Sequence, residues 1–209
     1  MGNLTIIEDS SKSGFGGGQR VTLDFLNASY SLFSQIQIFD FTYKRPTKFT
    51  QRVSNLGYKV FHLIGFGKIG KKPISGYSLS FLEILLFPLI LVLNVIKFKY
   101  LLKRDSETNV FYTATKKALI LAYFISRKND RIIFHMHNSD SNFYLSKLFR
   151  FFISRPNVYN LAVSHYVKNS YNLDNISVVY NGVDLTEQKP KFKIKGTKIV
   201  VAYLGSLIA

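Results

Sequence analysis

The fold is decided by residues 3–30, NLTIIEDSSKSGFGGGQRVTLDFLNASY. The first six of these residues include Leu4, Ile6 and Ile7 and predict a short apolar strand. A glycine-rich turn follows at residues 13–18, and residues 19–30 carry apolar side chains at a mostly helical spacing. A strand that passes through a tight turn into a helix is typical of a parallel sheet with crossover helices.

The same alternation continues through most of the chain. It predicts further strands at residues 37–41, 58–64, 109–113, 131–136, 158–163 and 176–180, and helices at 47–55, 115–126, 142–153 and 164–171. We therefore predict an α/β fold, a Rossmann-like parallel sheet flanked by helices, over residues 1–184. Residues 185–197 have a basic, proline- and glycine-containing composition that predicts a linker. Residues 198–209 open with one more buried-strand pattern, which we expect to begin a second domain, with a strand that joins the preceding sheet as the alternative.

The apolar block at residues 79–98 has the length of a membrane span. However, it contains Glu83, Pro88 and Asn94, and a charge near the middle of a bilayer is costly. We predict a buried crossover helix, with a helix that lies on the membrane surface as the alternative, because the basic segment 97–104 follows it.

The charge of the chain points to an anionic partner. Its 209 residues include 28 Lys and Arg against 12 Asp and Glu, a net charge of +16. An anionic membrane surface or a phosphorylated substrate fits this excess. Nucleic acid is not expected, because most Phe and Tyr residues occupy core-like positions. The chain has no cysteine, which excludes disulfides and thiolate metal sites, and it begins without a signal-peptide pattern, so a cytoplasmic protein is expected.

Three consecutive glycines, Gly16, Gly17 and Gly18, stand at the first strand-to-helix junction. Glycines allow the backbone to approach a phosphate, and a helix N-terminus offers unpaired N–H groups. The dinucleotide pattern G-x-G-x-x-G is not met, because Gln19 stands in place of its third glycine. We interpret the segment as a ligand-approach loop, with a plain tight turn as the alternative.

Two histidines, His135 and His137, end the predicted strand 131–136 and are followed by Asn138. Residues two apart on a strand face the same way, so both can face a cleft at the carboxyl edge of the sheet. One of them is predicted to bind a sugar hydroxyl or to act in acid–base chemistry, with a pair of structural histidines as the alternative. No third ligand has a convincing spacing and no Asp-x-Asp motif is present, so no metal is expected.

Five segments together resemble the family 4 glycosyltransferases, which have the GT-B fold of two facing Rossmann-like domains. These segments are GGGQRV at 16–21, GYKV at 57–60, IIFHMHN at 132–138, LAVSHYV at 161–167 and VVYNGVD at 178–184. The last is the most specific, because it matches the family's motif before the interdomain linker. The resemblance covers nearly the whole chain and identifies it with the N-terminal half of such an enzyme.

The resemblance implies retaining, metal-independent transfer of a sugar from a nucleotide-diphosphate sugar to a lipid-linked saccharide. It implies work on cell-surface polysaccharide at the inner face of the bacterial plasma membrane. The donor diphosphate or the acceptor would meet Gly16 to Gly18 with Gln19, and His137 or His135 would lie by the transferred sugar. The remaining residues placed at the cleft are Asn138, Ser164, Asn181 and Gly182.

The sequence departs from the family where the donor is bound. The family uses two glutamates eight positions apart in its second domain, and the four glutamates here form no such pair. We therefore expect the chain alone to be inactive, either as a truncated product or as half of a split enzyme that works with a separate donor-domain chain. The alternative is a non-catalytic membrane-surface subunit that recruits such a partner.

Overall fold

A computed structural model describes residues 2–10, 15–42, 46–66, 81–103, 108–139 and 149–182. Its described strands form one sheet of seven parallel strands in the order β3-β2-β1-β4-β5-β6-β7. They are β1 Asn3–Glu8, β2 Gln35–Asp40, β3 Val60–His62, β4 Asn109–Thr113, β5 Arg131–Met136, β6 Val158–Ala162 and β7 Ile176–Val178. The predicted α/β class with a Rossmann-like sheet is confirmed.

Helices connect these strands on both faces of the sheet. They are α1 Gly17–Ser29, α2 Lys48–Asn55, α3 Phe81–Leu101, α4 Lys116–Ile125, α5 with described residues 149–153, and α6 His165–Tyr171. One core lies under α1 and α2, where Leu23, Leu26 and Phe49 are buried. The other contains buried side chains of the later helices, among them Phe98 and Leu119.

The chain changes its direction of travel across the sheet between β1 and β4. From β1 it proceeds outward through β2 to β3, and after α3 it returns to place β4 on the other side of β1. The connections after β1 and after β4 therefore lie on opposite faces and leave a crevice at the carboxyl ends of these two strands. The glycine loop follows β1 and therefore opens onto this crevice.

The apolar block forms a crossover helix, α3, that is buried along one side. Asn94 is fully buried there, and its side-chain amide accepts a hydrogen bond from the Ile64 N–H and donates one to the Ile64 carbonyl, both at 2.8 Å. Asn94, which argued against a membrane span, thus binds the backbone of the chain just after β3. Among the described residues there is no helix with the length and apolar character needed to cross a bilayer.

Several predicted boundaries differ from the structure. Gly17 and Gly18 belong to the first turn of α1 rather than to a turn before it, because Gly16 occupies the N-cap. Helix α3 continues to Leu101, beyond the predicted end at residue 98, and β3 and β7 are each only three residues long. Three predictions lie outside the described residues: the linker 185–197, the strand pattern in 198–209 and the domain limit at 184.

Candidate functional site

The structure brings the glycine segment and His137 together at the carboxyl edge of the sheet. A β-carbon built on Gly18 would lie 3.6 Å from Cγ and Cδ2 of His137, which is ordinary van der Waals contact. Gly18 stands in the first turn of α1, and His137 directly follows β5, two strands away from β1. The two sequence features that we assigned to one cleft therefore adjoin each other.

The backbone itself does not require glycine at the start of α1. Gly16 has φ −92° and ψ 171°, an extended conformation that any residue adopts. A β-carbon on Gly16 or on Gly17 would meet nothing within 4 Å. Gly17, in the first turn of α1, costs stability there relative to alanine, whereas glycine is favoured over alanine at an N-cap such as Gly16. Gly17 therefore keeps open a space that the fold does not need. That space lies in front of a helix N-terminus, where free N–H groups favour an anion.

Side chains around the glycine segment hold it in place. The Gly16 N–H donates a hydrogen bond to Oε1 of Gln19 at 3.1 Å, so Gln19 closes the loop onto its own helix. Phe15 packs under the guanidinium of Arg52, whose Cζ lies 4.1 Å from the ring centroid. Arg52 is exposed at its position on α2, as is Arg20 on α1. Arg52 therefore places positive charge beside Phe15, and Arg20 adds a second exposed cation at the start of α1.

The two histidines lie side by side on the α1 side of the sheet. Their ring centroids are 4.4 Å apart, and His135 Nδ1 shares a 2.8 Å hydrogen bond with the Tyr112 hydroxyl. Burial lowers the pKa of His135 to about 4, with the neighbouring His137 as a smaller cause, and burial also lowers the pKa of His137. Both rings are therefore neutral at pH 7. Among the described residues, Nε2 of each ring is buried and has no hydrogen-bond partner.

A buried carboxyl group, Glu8 at the end of β1, lies beneath the glycine segment. Thr22 Oγ1 is 2.8 Å from Glu8 Oε2 and 3.1 Å from the Gly18 carbonyl oxygen. Burial raises the pKa of Glu8 to about 7, against the hydrogen bonds from Thr22 and from the Asp9 N–H. When Glu8 is protonated it can donate to Thr22, whose single hydroxyl proton is then available for Gly18. The first turn of α1 is thus tied to the end of β1 through the Glu8 carboxyl group, whose raised pKa favours its neutral form below pH 7.

Tyr112 of β4 connects this carboxyl region with the histidines. Its ring stacks on Phe25 of α1 with centroids 4.2 Å apart, and its hydroxyl contacts His135. Burial raises the pKa of Tyr112, and the nearby Glu8 charge raises it further, so the phenol stays protonated. Tyr112 therefore fixes the orientation of the His135 ring.

A second polar cluster lies at the same edge, beyond β1 and β2. The Asp40 carboxylate accepts hydrogen bonds from the Ser10 N–H at 2.8 Å and from the Thr42 hydroxyl at 2.7 Å. Thr42 also shares a 3.0 Å hydrogen bond with His62 Nδ1, which agrees with a structural interpretation of His62. Burial raises the pKa of Asp40, with hydrogen bonds from Ser10 and Thr42 opposing.

The other residues predicted at the cleft are spread along the edge rather than gathered. Ser164 is the N-cap of α6 and accepts the Val167 N–H at 3.2 Å, as predicted for a residue that begins this helix. Asn138 has an exposed side chain, and its carbonyl oxygen accepts a 3.2 Å hydrogen bond from the Tyr171 hydroxyl. Asn181 and Gly182 are exposed beyond β7, two strands further from β1 than β5. The roles of these four residues in the cleft stay predictions.

Sequence reasoning missed Glu8, Thr22 and Tyr112. Glu8 follows Ile6 and Ile7 at the end of β1, which was the available signal, because burial at such a position disfavours the ionised form of a carboxyl group. Thr22 and Tyr112 gave no signal, since both are compatible with ordinary core positions. Within the described part of the chain, His, Asp and Glu residues form no group of three or more that fits a metal ion. Metal independence stays a prediction.

Comparisons with known proteins place the fold. No protein-family model matches the chain, and no curated protein matches it. The structure is similar to the solved apo form of a lipopolysaccharide outer core galactosyltransferase, WaaB, with a TM-score of 0.57 and 18% sequence identity. The match covers 88% of this chain and 47% of that one, so the chain spans about half the length of that protein. At this identity the comparison establishes the architecture: a Rossmann-like α/β sheet of the kind found in a GT-B glycosyltransferase.

Proposed function

We propose that the chain supplies the N-terminal half of a glycosyl-transfer cleft, for a nucleotide-diphosphate sugar donor and a lipid-linked saccharide acceptor in cell-surface polysaccharide synthesis. The single observation that carries the proposal is that the first turn of α1 and His137 adjoin each other, with the buried carboxyl group of Glu8 beneath them. The similarity to a galactosyltransferase and the resemblance to family 4 enzymes support it.

The N-terminus of α1 would serve the charged part of the substrate. Gly16 and Gly17 leave space for a diphosphate or a sugar hydroxyl to approach the helix N–H groups. Arg20 and Arg52 would add positive charge at the rim. Oriented N–H groups and cations that meet charge as it develops on a leaving diphosphate lower the barrier without a metal. In this proposal the reaction is metal-independent.

The histidines would bind the sugar as neutral groups. Their lowered pKa values favour the neutral ring at pH 7, in which one nitrogen is a donor and the other an acceptor. With Nδ1 of His135 engaged by Tyr112, its Nε2 is left for another partner. We assign to His137 the contact with a hydroxyl of the transferred sugar, because it borders Gly18 directly.

The nucleoside of the donor would be bound by a second domain, in the same polypeptide or in a separate chain. No two glutamates in this sequence have the eight-residue spacing that the family's donor site uses. In our proposal this half works at the inner face of the plasma membrane and is not active by itself.

Transfer of labelled sugar tests the proposal in the protein's own membranes. Membranes from cells that lack the gene are supplied with the chain, and incorporation from nucleotide sugars into lipid-linked saccharide is measured. Gly17→Leu should abolish incorporation, because its side chain would fill the space before α1. Asn27→Leu, which adds an exposed leucine on the same helix, is the control. Equal incorporation with both variants contradicts the proposal.

The second candidate function is a non-catalytic membrane-surface subunit, which the exposed apolar side of α3 favours. In that case Gly17→Leu and His137→Ala leave incorporation intact, while loss of the whole chain abolishes it. The assay therefore separates the two functions.

A further inference from the structure

Helix α3 carries a row of exposed apolar side chains, the most extensive on any described helix. Leu85, Leu89 and Ile96 expose 62%, 55% and 61% of their surface. The whole row, which recurs every three or four residues, is Leu85, Leu86, Leu89, Val92, Leu93, Ile96 and Tyr100. We call it the α3 outer face. Contiguous exposed apolar surface of this kind marks an interaction site.

The opposite side of α3 fixes how the helix is oriented. Asn94 is hydrogen-bonded to both backbone groups of Ile64, and Phe98 is fully buried, with its ring centroid 3.9 Å from that of Phe39. The helix cannot rotate about its axis without breaking these contacts. The α3 outer face is therefore a permanent feature of the folded surface.

Two lysines border the α3 outer face on either side. At about 100° per residue, Lys97 and Lys99 lie about 80° to the left and right of the line through Leu89, Ile96 and Tyr100. Lys99 is exposed and Lys97 is half-buried. Residues 85–103 include no Asp or Glu. Long basic side chains beside an apolar face can extend toward phosphate groups while the apolar residues enter the acyl boundary.

We infer that α3 docks the chain on an anionic membrane leaflet, with the α3 outer face buried at the headgroup boundary and Lys97 and Lys99 at the lipid phosphates. The flanking lysines, with no Asp or Glu in residues 85–103, suit the phosphates of anionic lipid. A second copy is disfavoured, because each chain carries a net charge of +16 and the flanking lysines would face one another. This inference stands on α3 alone and does not depend on sugar transfer.

Tryptophan fluorescence gives a direct test, because the chain contains no tryptophan. Leu89→Trp should show a blue shift when vesicles of phosphatidylcholine with anionic phosphatidylglycerol are added. Leu32→Trp, an equally exposed leucine after α1 (63%), should show none. Vesicles of phosphatidylcholine alone should give a weaker shift. No shift for Leu89→Trp, or equal shifts for both reporters, overturns the inference.

Binding measured by flotation separates the apolar and the basic parts. Leu89→Ser with Ile96→Ser should weaken vesicle binding about tenfold or more, from the apolar area that no longer enters the bilayer. The control pair is Leu32→Ser with Leu56→Ser, exposed on the connections after α1 and α2, and it should bind like the wild type.

The same flotation assay measures the contribution of charge when lysines are replaced. Lys97→Gln with Lys99→Gln should remove most of the preference for anionic vesicles, about fivefold per lysine. Lys48→Gln with Lys128→Gln lowers the net charge equally at exposed positions elsewhere. Equal loss with both pairs means attraction by total charge only and overturns the inference. So does a blue shift that follows protein concentration in the absence of vesicles, which indicates a second copy.

Discussion

Glu8 should make the stability of the protein fall as the pH rises, and replacing it with glutamine should remove that fall. Burial raises its pKa from the ordinary 4.5 to about 7. Between pH 4.5 and about 7 the folded state therefore holds a proton that the unfolded state has lost. This stabilisation is complete below pH 4.5 and is lost as the pH rises through about 7. A shift of that size corresponds to about 3 kcal/mol.

His135 acts with the opposite sign. Its pKa falls from 6.5 to about 4, so the folded state resists protonation and the histidine destabilises the protein as the pH falls below 6.5. Between about pH 4.5 and 6.5 the two groups offset each other, because each changes the free energy of unfolding by about 1.4 kcal/mol per pH unit. From the contributions of these two groups, the free energy of unfolding of the wild type should stay constant in that pH range and decline above it.

Urea unfolding at a series of pH values measures this. Above pH 7 Glu8→Gln should be more stable than the wild type by about 3 kcal/mol, a midpoint shift of about 1.5 M urea. Below pH 4.5 the two should unfold alike, because glutamine can still accept from the Asp9 N–H and donate to Thr22. Asp24→Asn, an exposed carboxylate on α1, is the control. An equal change at all pH values, or a loss of stability at pH 8, refutes the reasoning.

Three further substitutions test other parts of the account. Asn94→Ala should cost about 3 kcal/mol in urea unfolding, because it leaves both backbone groups of Ile64 without their partner, and a loss below about 1 kcal/mol would contradict this. Gly17→Ala should raise stability by up to about 1 kcal/mol in thermal unfolding while lowering sugar transfer, and improved transfer would count against a ligand at α1. Tyr112→Phe should cost about 1 kcal/mol and change the ring nitrogen shifts of His135 in NMR spectra, and unchanged shifts would disprove the contact.

Much of the sheet was predictable because its strands are buried on both faces. The predicted strands 3–8, 109–113 and 131–136 coincide with β1, β4 and β5, each of which has at least two consecutive apolar residues, as central parallel strands commonly do. The outer strands β3 and β7 were predicted longer than the three residues that each has. The N–H groups of Leu63 and Val179, just beyond them, still donate to the Asp40 and Ala162 carbonyl oxygens of the neighbouring strands.

Helix α3 was only half predictable. Its composition indicated burial, and Asn94 and Phe98 are indeed buried, but apolar residues run all round the helix. A sequence that is apolar on every side gives no sign of which side faces the sheet. Only the contact with Ile64 and the stacking on Phe39 determine that the α3 outer face is exposed.

The position of the candidate site followed from strand order, whereas its buried chemistry did not. Glycines after β1 and histidines after β5 meet because parallel strands end at one edge. Two features depend on burial in three dimensions, which no spacing in the sequence indicates. They are the hydrogen bonds that link Glu8, Thr22 and Gly18, and the contact of Tyr112 with His135.

The central claim, that the start of α1 and the histidine pair form one binding surface, is tested most directly by NMR with inorganic pyrophosphate as a donor-diphosphate probe. The chain has four histidines, so ring signals can be assigned individually. Pyrophosphate should shift the amides of Gly17 and Gly18 together with the ring of His137, and leave His62 and His165 in place. Shifts confined to exposed lysines and arginines, or a response of the glycines without His137, would contradict the account.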